Sequence, residues 1–486
     1  MSDPLALLPL AVAAGGGRID GLEAQQLVAA GLTLLRRSAP LVRALSGRRA
    51  AILLPTSAHY LVALGGSEGR GAVLVNPLAA PLEIAHQMRE ADVGAAFTVS
   101  ALAGRLPASL PHVLLDEAPR SARVVTTDVT KEVDLGSHVG MDLAGDPEVE
   151  GRDEEAAIVY TSAMRGTPLG AVLTHANLLS NARATVAAAA QERDDHVLAV
   201  LPFAHLFGLV VSGASPLLAG ARVTTMERFT SARALELLES EGVTELVGVP
   251  AIFHALAATL DRRGSGLRGG TLRLCICGGA PLSVELQERW FELAGVELRQ
   301  GYGLTEAGPV CVFNRTDLPN RRGALGVPFP GVEVSIRSVA AEDASTPKDI
   351  ALPELRPGDV GEICVRGPNV FRGYVRGGAA GLRRLGGWLH TGDLGVLEPD
   401  GTVRFTGIYK PMFTRNGFNI YPREIEQAIA ELPGVRAVRV RAIPVPAREN
   451  DIAVEVEGSV GESDVEAWCE QRLSLYKQPS EVRIAD

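Results

Sequence analysis

The sequence predicts an α/β protein: a large N-terminal domain of doubly wound sheets with a small β-layer, and a small α+β domain after a hinge. Three observations carry that expectation. Short apolar runs alternate with helical-period segments between Ala50 and Cys277, as in parallel sheets covered on both faces. From about Gly326 the texture changes to Val/Ile alternation between glycine turns, which suits an antiparallel layer. After Gly407 the order becomes helix, strand, strand, helix.

In chain order, Ala50 to Leu54 reads as a buried strand closed by Pro55. A helix begins within Tyr60 to Leu64, Ala72 to Val75 gives the next strand, Pro81 to Ala91 has a helical period, and Ala95 to Thr98 is strand-like again. The same rhythm returns at Ala156–Thr161, Val197–Leu201, Glu245–Val249 and Leu272–Cys277. Val332–Ile336 and Glu362–Val365 are the alternating strands of the β-layer, with a surface loop expected from Ala340 to Pro357. The last unit reads as helix Pro422–Glu431, strands Val435–Val440 and Ile452–Glu457, and helix Ser463–Leu475. The expected domains are therefore 1–406 and 411–486, with the hinge near 407–411.

Composition narrows the function. A chain of 486 residues buries a large core and divides into two or three domains. A net charge of -10 argues against nucleic acid, which attracts a basic footprint. Only four residues are lysine (Lys131, Lys348, Lys410 and Lys477), which limits where a catalytic ammonium could sit. Five cysteines without a C-x-x-C pair predict buried, reduced thiols in a cytoplasmic protein and no cysteine metal site. The apolar start, Pro4 to Ala14, lacks the basic flank of a signal peptide. Val197 to Ala221 carries no formal charge, but Pro202, His205, Gly208, Gly213 and Pro216 break it; strand plus buried helix is expected, and no membrane span.

Three motifs carry chemistry. Tyr160 to Asn177 has the frame of a glycine-rich loop whose backbone N–H groups wrap an anion, with Ser162, Gly166, Pro168 and Gly170 keeping the frame. Ala163, Met164, Arg165 and Leu169 stand where a glycine, two hydroxyls and a lysine would complete it. Gly301 to Ala307 puts an aromatic (Tyr302), a hydroxyl (Thr305) and a carboxylate (Glu306) on one expected turn, able to stack a base, bond a phosphate and carry Mg²⁺. Trp388 to Asp393 offers a carboxylate on a glycine turn, apt for two ribose hydroxyls. Taken singly, each of the last two reads equally as an ordinary structural turn.

The joint order of these motifs resembles the AMP-forming acyl-adenylate superfamily, which holds acyl- and aryl-CoA synthetases, nonribosomal peptide adenylation domains and beetle luciferases. The resemblance covers nearly the whole chain. Leu201 to Gly208 looks like the acyl-site motif, Gly278 to Leu282 like the adenine segment, and Gly407 to Glu426 like the hinge with the loop that lines the CoA tunnel. It implies ATP or AMP, Mg²⁺ and CoA as small-molecule partners, with a carrier-protein thiol as the other possible acceptor. It assigns Ser162, Gly166, Gly170, Gly279, Ala280, Tyr302, Thr305 and Asp393 to the nucleotide, Glu306 to Mg²⁺, and Lys410 to the hinge. Thr305, Glu306 and His205 are the implied catalytic group; His205 reads equally as a gate or as a buried core histidine. The implied chemistry is an acyl-adenylate from ATP and a carboxylic acid, then transfer of the acyl group to a thiol. An aspartate that would grip an amino acid is replaced by Ala204, and the small or apolar residues of Phe203–Gly208, Val249–Ala251, Gly279 and Gly301 suit a fatty or aryl acid.

The chain departs from the family pattern at four places. Met164, Arg165 and Leu169 replace the phosphate-loop hydroxyls and lysine; Ile408 replaces a nucleotide-contacting arginine; Thr414 stands where many members have lysine; and the sequence stops at Asp486, before the loop with the adenylating lysine. Each lost charge-assisted contact costs about 2–4 kcal/mol in the transition state, so two or more predict adenylation slowed by roughly 10³-fold. Arg165 is a candidate substitute cation. Pro411, directly after Lys410, predicts a stiffened hinge. Three readings stay open: a ligase with impaired adenylation, a partial enzyme performing only thioester transfer, and a non-catalytic scaffold that binds nucleotide or acyl ligand, a pseudoenzyme.

Overall fold

The computed structural model describes residues 8–67, 71–136, 154–161, 168–339, 348–377, 381–408, 412–445 and 449–485. Within them two nine-stranded sheets dominate. One runs in the order 327–328, 310–313, 298–303, 274–277, 245–248, 196–199, 222–225, 18–19, 22–23. The other runs 373–374, 169–174, 155–161, 72–74, 49–53, 93–98, 112–114, 121–125, 130–134. The central strands of both are parallel and buried on both faces: Ala50 to Leu53 and Val93 to Thr98 expose almost nothing. That double burial is why their sequence reads as unbroken apolar runs rather than alternation.

The predicted β-layer is a five-stranded antiparallel sheet built on Glu333–Arg337, Gly361–Arg366 and Trp388–Leu397. The expected loop over Ala340–Pro357 is described only from Lys348 onward, and there it is not free: Glu354 bridges to Arg337, and the N–H of Leu355 donates to the carbonyl of Ile336 at 2.8 Å. The uncharged Val197–Ala221 stretch is a strand followed by a π-helix over Phe207–Ala214 and a helical turn Ser215–Leu218, all in the core. Among the described residues no helix is long and apolar enough to cross a membrane. All five cysteines are buried and free.

The C-terminal residues 413–484 have their own core, with Ile420, Ile425, Ile429, Val454, Val456 and Val465 at its centre. Helix Pro422–Ala430 packs on the hairpin Val435–Val445/Glu449–Gly458, and strand Glu481–Ala485 joins it in parallel. This unit is bound to the N-terminal sheets by a buried charge cluster. Nζ of Lys477 lies 2.9 Å from Glu83 and 2.5 Å from Glu424, while Ser474 donates its hydroxyl to Glu83. Burial opposes a charged Lys477, yet Glu424, Tyr476 and Glu83 together lift its pKa above the ordinary value.

Candidate active site

A cavity of about 1370 Å³ opens where the two large sheets and the C-terminal unit meet. Its walls come from residues just past the carboxyl ends of parallel strands: Leu54–Thr56, Asn76–Leu78 and Val99 from one sheet, Val200–Pro202, Val249 and Gly278–Ala280 from the other. Ligands collect at such strand ends because loops there are free to vary over a rigid sheet. The roof is the hairpin segment Asn416–Asn419 with Tyr421 and Tyr476. Gly417 makes that roof possible: its φ is +78°, and a Cβ there would lie 2.7 Å from Cγ1 of Val249 across the cavity wall.

At one end stand Tyr302, Thr305, Glu306 and Asp393. Gly301 to Gly303 do not form a turn, as the sequence suggests; they continue strand Leu298–Gly303, paired antiparallel to Val310–Phe313. Only Thr305–Ala307 turns, as a single 3₁₀ turn. Tyr302 is thereby held rigidly, with its phenol donating to Oδ2 of Asp393 at 2.7 Å. Burial, reinforced by the Asp393 charge, pushes that phenol well above its ordinary pKa, so it stays a donor. Asp393 likewise lies inside a strand, Trp388–Leu397, not on a turn; Gly392, at φ +74°, belongs to a bulge that turns Asp393 toward the cavity. Glu306 is buried, and its Oε1 accepts from Tyr374 at 2.8 Å and Thr161 at 3.2 Å.

The remainder is mostly apolar: Phe207, Phe229, Val249, Ile252 and Ala255 line it. His205 sits between the two regions, half-buried with its ring against Phe418 (centroids 5.2 Å apart) and Nε2 3.2 Å from the Asn76 amide. Desolvation pushes its pKa down to about 4, so the ring is neutral. Phe418 in turn stacks on Tyr476, at 4.1 Å. Among the described residues the lining holds one guanidinium, Arg228, and no lysine; Ile408 faces the cavity directly across from Asp393 in register.

Several anticipated residues fall elsewhere. Ser162, Gly166, Lys410 and Pro411, with Ala163, Met164 and Arg165, lie outside the described residues. Gly170 is in strand Leu169–Thr174, where a Cβ would meet Tyr160, Ile158 and Val375 at 3.0–3.1 Å; it packs a sheet face and does not line the cavity. Phe203 is in the core against Tyr60 rather than in the pocket, and Ala204 is buried beside it. Gly279, Ala280 and Gly301 do line the cavity. Sequence reading missed Asn76 and Phe418, which meet His205 only through tertiary structure, and Tyr476, which stacks behind Phe418. It also missed the buried group Glu362, Cys364 and His390, whose ligand-type atoms lie within 4.8 Å of one another behind the Asp393 bulge.

This fold and constellation define a nucleotide-dependent acid-activating class. The profile of the AMP-binding enzymes matches residues 41–375, and the chain belongs to that family, within the AMP-forming acyl-CoA synthetase superfamily. It is 30% identical to the long-chain-fatty-acid–CoA ligase of Escherichia coli O6:H1, over 90% of this chain and 82% of that one. It is 32% identical to a feruloyl-CoA synthase of an Amycolatopsis species, over 90% of this chain and 85% of that one. A malonyl-CoA ligase solved as a ternary product complex with methylmalonyl-CoA and AMP superposes with a TM-score of 0.76 at 28% identity, covering 98% of this chain and 96% of that one.

Proposed function

We propose that this chain is an acyl-CoA ligase whose thioester-forming half-reaction is far faster than its adenylation. The observation that carries this is the cavity itself. It joins a polar end holding Tyr302, Thr305, Glu306 and Asp393 to an apolar end under one roof, and among the described residues its lining holds one cationic side chain, Arg228. Transfer of an acyl group from an acyl-adenylate to a thiol releases one phosphate monoester, AMP. Forming the adenylate from ATP must also stabilise pyrophosphate, which demands more positive charge.

In this reading Tyr302 stacks on adenine, Asp393 takes the ribose hydroxyls, and Thr305 donates to the α-phosphate. Glu306, tethered through Oε1 by Tyr374 and Thr161, would hold Mg²⁺; a hard oxygen donor beside phosphate fits that ion. Bound Mg²⁺ would supply charge neutralisation to the phosphate. The acid is fatty or aryl, since the walls away from the polar end include Phe229, Ile252 and Ala255. The thiol of CoA, or of a carrier protein, enters past Leu78 and Leu475 and attacks the acyl carbonyl; the C–O bond to AMP breaks and the thiol proton is released. The Phe418 ring against His205 narrows the way between mouth and carbonyl and excludes water from the adenylate.

The test runs the two halves apart. Synthetic dodecanoyl- or feruloyl-adenylate plus CoA should yield the acyl-CoA and AMP at least 10³-fold faster than ATP, acid and CoA together. Equal rates would overturn the impairment. No acyl-CoA by either route would leave a nucleotide- or acyl-binding scaffold.

A further inference from the structure

Asp393 reaches the cavity because a bulge is closed from the neighbouring strand by one buried carboxylate. Thr391, Gly392 and Asp393 stand opposite Ile363 alone, between the pairs Cys364↔His390 and Glu362↔Leu394. Glu362, 3% exposed, serves this bulge with both oxygens. Its Oε1 accepts the N–H of Gly392 at 2.8 Å, and its Oε2 lies 2.8 Å from Nδ1 of His390. Thr391 completes the clasp: its hydroxyl donates to the carbonyl of Ile363 at 2.7 Å and accepts the N–H of Asp393 at 3.2 Å. The left-handed Gly392 is thus pinned one residue before the carboxylate that Tyr302 also holds.

Burying a carboxylate is costly, and an apolar pair of like shape would stabilise the sheet as well. A charge placed here accounts for something a plain sheet does not need: a fixed direction for Asp393. We propose that Glu362 is a positioning residue for the nucleotide, acting through Gly392 to set the carboxylate that receives the ribose. This rests on the reading that Asp393 contacts nucleotide. The nearby thiol of Cys364, 3.4 Å from Nδ1 of His390, offers a competing use of the same three residues as a metal site. The two uses compete for the same His390 and Glu362 side chains.

The test is calorimetry of AMP on the full chain, with cooperative melting as the check that each variant folds. Glu362→Ala should weaken AMP roughly ten- to hundredfold, the range for losing a hydrogen bond to a charged group. Glu362→Gln keeps an acceptor for Gly392 but forces His390 to change tautomer, so its loss should be smaller. The discriminating arm is the double variant: Glu362→Ala with Asp393→Ala should bind AMP no more weakly than Asp393→Ala alone, since one acts through the other. Additive losses in the double variant would make Glu362 merely structural and overturn the proposal. So would wild-type affinity in both single Glu362 variants, or an equimolar zinc in the purified protein that Cys364→Ser removes, by elemental analysis. If wild type binds no AMP, the nucleotide reading itself falls and takes this proposal with it.

Discussion

The phenol of Tyr302 donates a 2.7 Å hydrogen bond to Asp393, tying a strand of one large sheet to the β-layer at the polar end of the cavity. Two residues 91 positions apart are thereby set as a unit, one offering a ring face and the other a carboxylate. Tyr302→Phe keeps the ring and removes the donor. AMP affinity should fall roughly tenfold, and Tyr302→Ala should lose more because stacking goes as well. Equal affinity for Phe and wild type in calorimetry would show that the bond does not set the site.

Ile408 pairs in register with Asp393 and looks into the same space. Ile408→Arg adds a guanidinium across from the carboxylate proposed for the ribose, at the end of the cavity where the phosphate is proposed to lie. Pyrophosphate release from ATP and dodecanoate should rise at least tenfold, while acyl transfer from the synthetic adenylate changes little. A variant that folds and binds AMP yet shows no faster release would place the deficit elsewhere.

Lys477 joins Glu83 of the N-terminal part to Glu424 of the C-terminal unit. Lys477→Met leaves the buried Glu424 carboxylate, and the half-buried one of Glu83, without their cation, and breaking such a cluster costs about 3–5 kcal/mol. Amide exchange in Pro422–Ala430 should accelerate by two orders of magnitude or more, roughly, if that loss loosens the unit. Glu83→Gln should do less, since Glu424 still neutralises the ammonium. Unchanged exchange in both variants would mean that the apolar contacts of Gly417 and Phe418 suffice.

His205 has a depressed pKa, about 4 against an ordinary 6.5. The neutral ring is the folded form, so its contribution to stability is whole above pH 6.5. It is lost progressively as pH falls toward 4, by at most about 3 kcal/mol. Proton NMR of the ring should show no titration from pH 8 to 5.5. A midpoint near 6.5 would mean that water fills the cavity around it.

Some of this was open to reading and some was closed. Ala50–Leu54 and Ala95–Thr98 are legible because burial on both faces writes itself as continuous apolar sequence. Thr305 and Glu306 are expected from a motif, and both line the cavity. The Gly392–Asp393 pair misleads: glycine followed by aspartate is turn chemistry, but here the glycine supplies the left-handed residue of a bulge within a ten-residue strand. Glu362 is invisible as a partner because it acts from 30 positions away, through backbone geometry no local pattern records. Lys477 is equally hidden: the carboxylate it meets at Glu83 is 394 positions upstream.

The roof over the cavity also has a consequence in time. Phe418 and Tyr476 leave the ribosome long after Val249, Ile252 and Phe229, the apolar walls they cover. Through much of synthesis those walls form an open greasy trough on a body that is otherwise able to fold. A nascent chain halted before the roof is a natural client for a holdase, and release from that holdase should coincide with the emergence of Phe418 and Tyr476.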